Sequence, residues 1–351
     1  MQGTDRHATA VRPRTTRTLP TGRDLASDAG ALRATVHKRA ASEVFLTDAV
    51  EVADGRFSVA VRWPREHGLY RPGPDGGDLL LWIETVRQAG IHLSHRFYGV
   101  PMHHPFVLAG LTFAAGLPPA PSRDARPAPV TLDIVVRREA QDARRTAASA
   151  EAVLRVGGRD VGRVGLRWQA VDPARYAVLR RRNSPPKPIA AVPGGADAVP
   201  LTARAVGRAQ ERDVMLAATR DDATWMLRLD TSHPVFFDHA CDHIPGMALL
   251  EALSQAAGVT AARRAGPPTA HGTDPAPHPV LRSGTVAFEA FGELDAPVTV
   301  TARTGSGQAP AEGGPALCVS AVQGGRTLVR ADLLCGPAPR RTGAGDAGAC
   351  R

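Results

Sequence analysis

The chain predicts an α+β protein built twice over, each half an antiparallel sheet wrapped around one long helix. Three observations predict it. The Glu84…Gln88 pair of Leu80-Leu-Trp-Ile-Glu-Thr-Val-Arg-Gln recurs as Glu251…Gln255, at one offset of 167 residues (251 less 84, 255 less 88). Each copy has one apolar helical stretch followed by alternating, β-forming segments. A stretch rich in proline and glycine separates the copies. A repeat this long marks two similar domains, not a solenoid of roughly 20–50-residue units. One helix per sheet requires the sheet to curl around it, so that both apolar faces are buried.

Residues 1–29 read as a disordered leader, because they are rich in Arg and Thr and lack an apolar run. The first domain is expected over 30–175. Within it, Phe57-Ser-Val-Ala-Val-Arg-Trp-Pro alternates as a half-buried strand does, and the helix around Glu84 follows. Next come a strand from Val130 to Arg137 and a hairpin from Ala152 to Trp168, turning at Gly157-Gly158. A linker is expected over 176–200, where Arg180-Arg-Arg-Asn-Ser-Pro-Pro-Lys-Pro removes hydrogen-bond donors and fixes φ. The second domain, 201–337, repeats the plan with a strand from Trp225, the helix around Glu251, strands from Ser283 and Pro297, and a hairpin at Gly324-Gly325. A flexible tail, 338–351, closes the chain.

The second helix carries most of the candidate chemistry. Asp242 is expected to cap it, Pro245 suits its first turn, and Gly246 lets a ligand approach the unpaired N–H groups there, which can polarise a carbonyl. Leu250, Leu253 and Ala257 mark the core stripe. Glu251 lies close to it, one turn before Gln255. A carboxyl so placed is costly unless hydrogen-bonded or working, and partial burial would raise its pKa toward the general acid/base range. A surface glutamate is the plain alternative; the same Glu and Gln at the same spacing in the other repeat favour function. His233, His239 and His243 precede the helix. With Asp238 and Asp242 they offer metal ligands, but no helical His pair or Cys pair sets a geometry, so no metal and no cofactor is expected. Cys241 reads as a small buried side chain sooner than a nucleophile.

Four cysteines without a CxxC pair support neither a zinc site nor a disulfide framework, and fit a reducing cytoplasm. Net charge is +9, yet lysine occurs only at Lys38 and Lys187. An excess of Arg, with abundant Ala, Gly and Pro, is what a G+C-rich genome imposes. The same field attracts an acidic carrier protein; nucleic acid is not the expected partner. No apolar run approaches membrane-spanning length.

Phe236-Phe-Asp-His239, followed by Pro245-Gly-Met-Ala-Leu-Leu-Glu251-Ala-Leu-Ser-Gln255-Ala-Ala-Gly258, resembles the hot-dog signature of 3-hydroxyacyl carrier-protein dehydratases. That resemblance implies His239 and Glu251 as a catalytic pair. The chain has two fewer residues between them than that pattern, which leaves His243 as the rival histidine. Over a longer span, Val36-His-Lys-Arg-Ala-Ala-Ser-Glu-Val-Phe-Leu-Thr-Asp48, Trp63-Pro-Arg-Glu-His67, Glu84-Thr-Val-Arg-Gln88 and His233-Pro-Val-Phe-Phe-Asp-His239 together resemble the A-factor biosynthesis family, whose members have tandem hot-dog domains. This resemblance implies transfer of a β-ketoacyl chain from an acyl carrier protein to dihydroxyacetone phosphate, then ring closure to a phosphorylated butenolide. It implies Glu84, His239 and Glu251 as catalytic residues, with Arg87, Gln88, His243, Gly246 and Gln255 binding substrate. Family members carry Glu-x-x-Arg-Gln in both repeats; here the second has Ser254 in the arginine's place. Glu251 is expected to act as general base on a hydroxyl attacking a carbonyl held near Gly246, and Glu84 with Arg87 to serve the mirrored half-site. An acyl-thioester dehydratase or thioesterase, and a non-catalytic acyl-binding regulator, are the alternatives. Two repeats in one chain mimic a dimer of single domains, so a monomer or a homodimer is expected.

Overall fold

The computed structural model describes residues 32–71, 78–116, 128–183, 198–265, 278–305 and 314–336; the expected leader and tail lie outside them. The first half contributes β1 (Leu46–Ala53), β2 (Arg56–Val61), helix α1 (Leu79–Tyr98), β3 (Phe106–Ala115), β4 (Val130–Asp142), β5 (Arg145–Val156) and β6 (Arg159–Val171). Helix α2 (Pro173–Asn183) connects the halves. The second contributes β7 (Leu216–Ala218), β8 (Thr224–Leu227), helix α3 (Gly246–Ala265), β9 (Val280–Phe288), β10 (Thr299–Thr304), β11 (Ala316–Gln323) and β12 (Arg326–Gly336).

The described strands form one sheet in the order β1-β2-β4-β5-β6-β3-β9-β12-β11-β10-β8-β7. Read outward from the centre, the two halves have the same order, which is the tandem hot-dog arrangement. The seam is the antiparallel β3–β9 pair, Gly110↔Ala287 through Ala114↔Ser283. Gly110 is needed there: a Cβ would sit 2.9 Å from the Val286 carbonyl oxygen. Each half wraps its helix closely. In α1 every residue from Leu79 to Val86 is buried, and in α3 every residue from Ala248 to Leu253, as expected of helices enclosed on all sides. Both Gly-Gly hairpins form as expected, with positive φ at Gly157 (59°), Gly158 (79°), Gly324 (56°) and Gly325 (79°).

Two expectations are corrected. Residues 176–183, assigned to the linker, continue helix α2. Its start is an ordinary cap: Asp172 Oδ1 accepts from the Arg175 N–H at 2.6 Å, and Pro173 follows, where a missing N–H costs nothing. Residues 184–197 of that linker lie outside the described residues. Asp242 does not cap α3. The Pro245 carbonyl instead accepts from Ala248 and Leu249 at 3.0 and 3.1 Å, because a residue before proline is driven out of the helical region and the start cannot lie earlier. Asp242 accepts from the Tyr176 hydroxyl and Arg180 on α2, at 2.8 and 3.2 Å, and pins that helix to the second domain.

Candidate active site

The paired Glu and Gln occupy one turn of each central helix, and both turns are buried. Glu84 is 1% exposed and Glu251 0%. Each glutamine amide joins the same kinds of group. Gln88 Oε1 accepts from the Phe45 N–H (3.0 Å), and its Nε2 donates to the Glu43 carbonyl (2.7 Å) and to Glu84 Oε1 (3.0 Å). Gln255 does the same with Met215 N–H (2.9 Å), the Asp213 carbonyl (2.7 Å) and Glu251 Oε1 (2.6 Å). Both donor hydrogens of each amide are thus taken by the protein. These residues, expected to bind substrate, are placed to hold the carboxylate beside them.

Around the two carboxylates the charge differs. Arg87 grips Glu84 through Nε to Oε2 (2.7 Å) and Nη2 to Oε1 (2.9 Å), and Lys38 Nζ lies 3.2 Å from Oε1. Burial pushes the Glu84 carboxyl up. Arg87 and then Lys38 outweigh burial and hold it far below the usual carboxylate range. Two cations against one carboxylate leave this cluster at +1. In the second half Ser254 replaces the arginine, and Arg208 reaches Glu251 from outside the helix, Nε to Oε1 at 2.6 Å and Nη2 to Oε2. Its Nη1 bonds Asp78 Oδ2 at 3.0 Å. One cation between two carboxylates leaves −1.

A cavity lies on each side of this pair. One, of about 300 Å³, is lined by Lys38, Tyr70, Glu84 and Arg87 of the first half and by Phe236, His239, Cys241, His243, Gly246 and Met247 of the second. The other, of about 270 Å³, takes the start of α1 (Asp78, Leu79, Leu80) with Arg208, Ser254 and Gln255, and Arg71, His278 and Arg282 complete its wall. The two are mirror images: each joins the start of one central helix to the Glu/Gln turn of the other. Hence the structure brings Glu84, Arg87, His239, His243 and Gly246 together. It does not bring Glu251 to them: Glu251 lines neither cavity and is fully buried against Arg208 and Gln255. The expected pairing of His239 with Glu251 is replaced by co-occupation with Glu84.

His239 is the exposed edge of the first cavity, its side chain 45% accessible. Burial of its inner face, with Lys38 and Arg87 nearby, holds its imidazole below the ordinary histidine value, so it is neutral at pH 7 and able to accept a proton. The preceding Asp238 accepts from the backbone N–H groups of Arg39 (2.6 Å) and Ala40 (2.8 Å), clamping the Lys38 loop against His239. His243 is held by Asp242 (Nδ1 to Oδ1, 2.6 Å) and packs edge-on against Phe291 at 5.0 Å. Burial, with Asp242 next, pushes the Cys241 thiol up, away from a thiolate nucleophile. The corresponding stretch of sequence in the first half, from Arg71 to Asp78, contains no histidine.

Sequence reasoning missed Lys38, Arg208 and Tyr70. A signal was present: Val36-His-Lys38 and Val206-Gly-Arg208 are a second repeat, offset by 170 (206 less 36, 208 less 38) instead of 167. An insertion of three residues hid it.

The A-factor biosynthesis hotdog domain matches residues 26–172 and again 194–338. A 2-oxo-3-(phosphooxy)propyl 3-oxoalkanoate synthase of Streptomyces virginiae is 34% identical over 77% of this chain and 86% of its own. The protein of the same name from Streptomyces coelicolor is 32% identical over 89% of this chain and 96% of its own. Among solved structures, the 12:0-ACP thioesterase from Umbellularia californica aligns over 82% of this chain and all of its own, at 10% identity and a TM-score of 0.44.

Proposed function

Since this chain belongs to the A-factor biosynthesis hotdog family, we propose that it transfers a 3-oxoacyl group from an acyl carrier protein thioester to the primary hydroxyl of dihydroxyacetone phosphate, in the cavity between Glu84 and Gly246. The observation that carries this reading is the charge balance there: two cations, Lys38 and Arg87, share one carboxylate beside a neutral histidine. A phosphate dianion suits those cations; the other cavity also presents cations, Arg71, Arg208 and Arg282, but its His278 has both ring nitrogens against backbone carbonyls, of Pro279 and Ala205.

The acyl chain lies along Phe106, Leu108 and Phe288, with its thioester carbonyl toward the first N–H groups of α3 at Gly246 and Met247. Lys38 and Arg87 hold the acceptor's phosphate. His239 takes the proton from the acceptor hydroxyl as its oxygen attacks the thioester carbon. The tetrahedral intermediate then expels the carrier thiolate, which recovers that proton from the imidazolium. A C–O bond forms, a C–S bond breaks, and ester and thiol leave. Glu84 is a positioning residue that orients both cations. The net charge of +9 draws an acidic carrier to the protein.

The test is incubation with 3-oxoacyl carrier protein, with and without dihydroxyacetone phosphate, followed by mass analysis. An ester that forms only with the acceptor is expected. Hydrolysis or dehydration at equal rates in both tubes would assign the cavity to a thioesterase or dehydratase instead.

A further inference from the structure

Tyr70 takes no part in the chemistry above, yet it lines the same cavity wall as Lys38, Glu84 and Arg87. It is 2% exposed, and among the described residues its hydroxyl has no hydrogen-bond partner. The residue is buried but its hydroxyl is not one of the fully buried unpartnered atoms, so it stays accessible on the cavity wall, where it points to a ligand atom.

The mirrored half shows that the hydroxyl is not there for packing. His67 Nδ1 accepts the N–H groups of Leu69 and Tyr70, each at 3.1 Å, its Nε2 lies 3.1 Å from Glu43, and the Tyr70 ring stacks on the imidazole at 4.9 Å and 26°. His233 Nδ1 accepts Val235 and Phe236 at 3.3 and 3.4 Å, its Nε2 lies 3.2 Å from Asp213, and the Phe236 ring stacks on it at 4.5 Å and 28°. Two matching frames, Glu43 of one answered by Asp213 in the other, hold two aromatic rings that differ by one oxygen. Burial, followed by the carboxylates of Glu84 and Glu43, pushes the phenol well above its ordinary value, so it stays a neutral O–H donor at any working pH.

The cations suit the phosphate and the start of α3 suits the thioester carbonyl, which leaves the phenol for a neutral oxygen. Each proposed substrate has one more such oxygen, a ketone: at C3 of the acyl chain and at C2 of the acceptor. We propose that Tyr70 is a specificity-determining residue whose hydroxyl donates a hydrogen bond to a substrate ketone oxygen. The inference rests on the acyl-transfer reading above. Both rings line the cavity that holds His239, and only the one from the first half carries a donor.

The experiment uses the full-length protein and Tyr70→Phe, which installs the ring that the Phe236 frame already accepts. Both are assayed for kcat/KM on four pairs: a 3-oxoacyl or a saturated acyl carrier protein, with dihydroxyacetone phosphate or sn-glycerol 3-phosphate. A loss of about tenfold, the size of one neutral hydrogen bond, is expected only for pairs that contain the ketone being read. A loss that follows the acyl donor assigns Tyr70 to the 3-oxo group; one that follows the acceptor assigns it to the acceptor ketone. Selectivity is a ratio of rates within one preparation, so partial unfolding does not mimic it. Equal losses over all four pairs, or none, would overturn the inference and leave the transfer reading intact. A parent protein inactive on every pair would overturn both.

Discussion

Replacing Arg208 by Met removes the one cation that touches Glu251 among the described residues. The carboxylate is fully buried and would lose the Nε contact at 2.6 Å and the Nη2 contact, keeping one bond from Gln255. Asp78 would lose its 3.0 Å partner but still accept from the Leu80 N–H at 2.9 Å. Removing one partner of a buried ion pair costs about 3–5 kcal/mol, mostly from the charge left behind. Glu251→Leu alone leaves Arg208 with Asp78 and costs less, about 1–3 kcal/mol. With both changes the stranded charge is gone, so the double variant is expected to be more stable than Arg208→Met, with a coupling of about 2 kcal/mol or more. Urea midpoints of the four proteins, at constant slope, measure the cycle. Transfer assays on a fifth protein carry the functional half: folded Glu251→Gln is expected to keep kcat within about twofold, since Glu251 is buried against Arg208 and Gln255 and does not line the cavity of His239 and Gly246. Additive stabilities would refute the ion-pair account, and a kcat lowered about 100-fold at unchanged midpoint would show that Glu251 works in the chemistry and that the reaction centre is wrongly placed.

Other outcomes follow from the same geometry. His239→Ala is expected to lower kcat by roughly 10²–10⁴. In the parent, kcat/KM should rise with pH and level off below the ordinary histidine value of about 6.5, because the imidazole's pKa is lowered and the base must be neutral; a plateau reached only above pH 8 would contradict this. Arg87→Met removes charge-assisted bonds of about 1.5–3 kcal/mol, so KM for dihydroxyacetone phosphate should rise about tenfold or more while the KM for the acyl donor moves little; equal changes in both would speak against a phosphate contact. The protein should lose stability between pH 6.5 and 4. Burial lowers the His92 imidazole to about 4, and its buried Nε2 has no partner among the described residues. The folded state therefore binds fewer protons than the unfolded one in that window, and stability present above pH 6.5 falls by about 3 kcal/mol as pH drops to 4. His92→Gln should flatten the acid limb of a melting-temperature profile.

The repeat, both helices and both Gly-Gly hairpins were legible because each is local: one helical turn spaces Glu from Gln, and two glycines with positive φ make a tight turn. Strand β3 was not, since Phe106-Val-Leu-Ala opens on an apolar run; only its second half alternates, with Leu111 and Phe113 buried and Thr112 and Ala114 exposed. Helix α2 was hidden by the prolines that follow it, although Asp172-Pro173 is a fair start signal. For the site, sequence found which residues matter and mispaired them. His239 sits four residues after Val235 and twelve before Glu251, so proximity in the chain suggested that partner; the fold instead delivers Glu84, 155 positions away (239 less 84), from the other half. Arg208 was missed because the three-residue shift hid it as the counterpart of Lys38; the arginine that Ser254 replaces has no substitute among the described residues of the second half.

The β3–β9 seam has a practical consequence for anyone dividing the chain. Cutting in the 184–197 segment would not yield two self-sufficient modules. Each fragment would end in a bare strand edge with unmet N–H and C=O groups and a half-open cavity. Such fragments should find each other, or copies of themselves, and a self-paired first half would carry Tyr70 twice and His239 not at all.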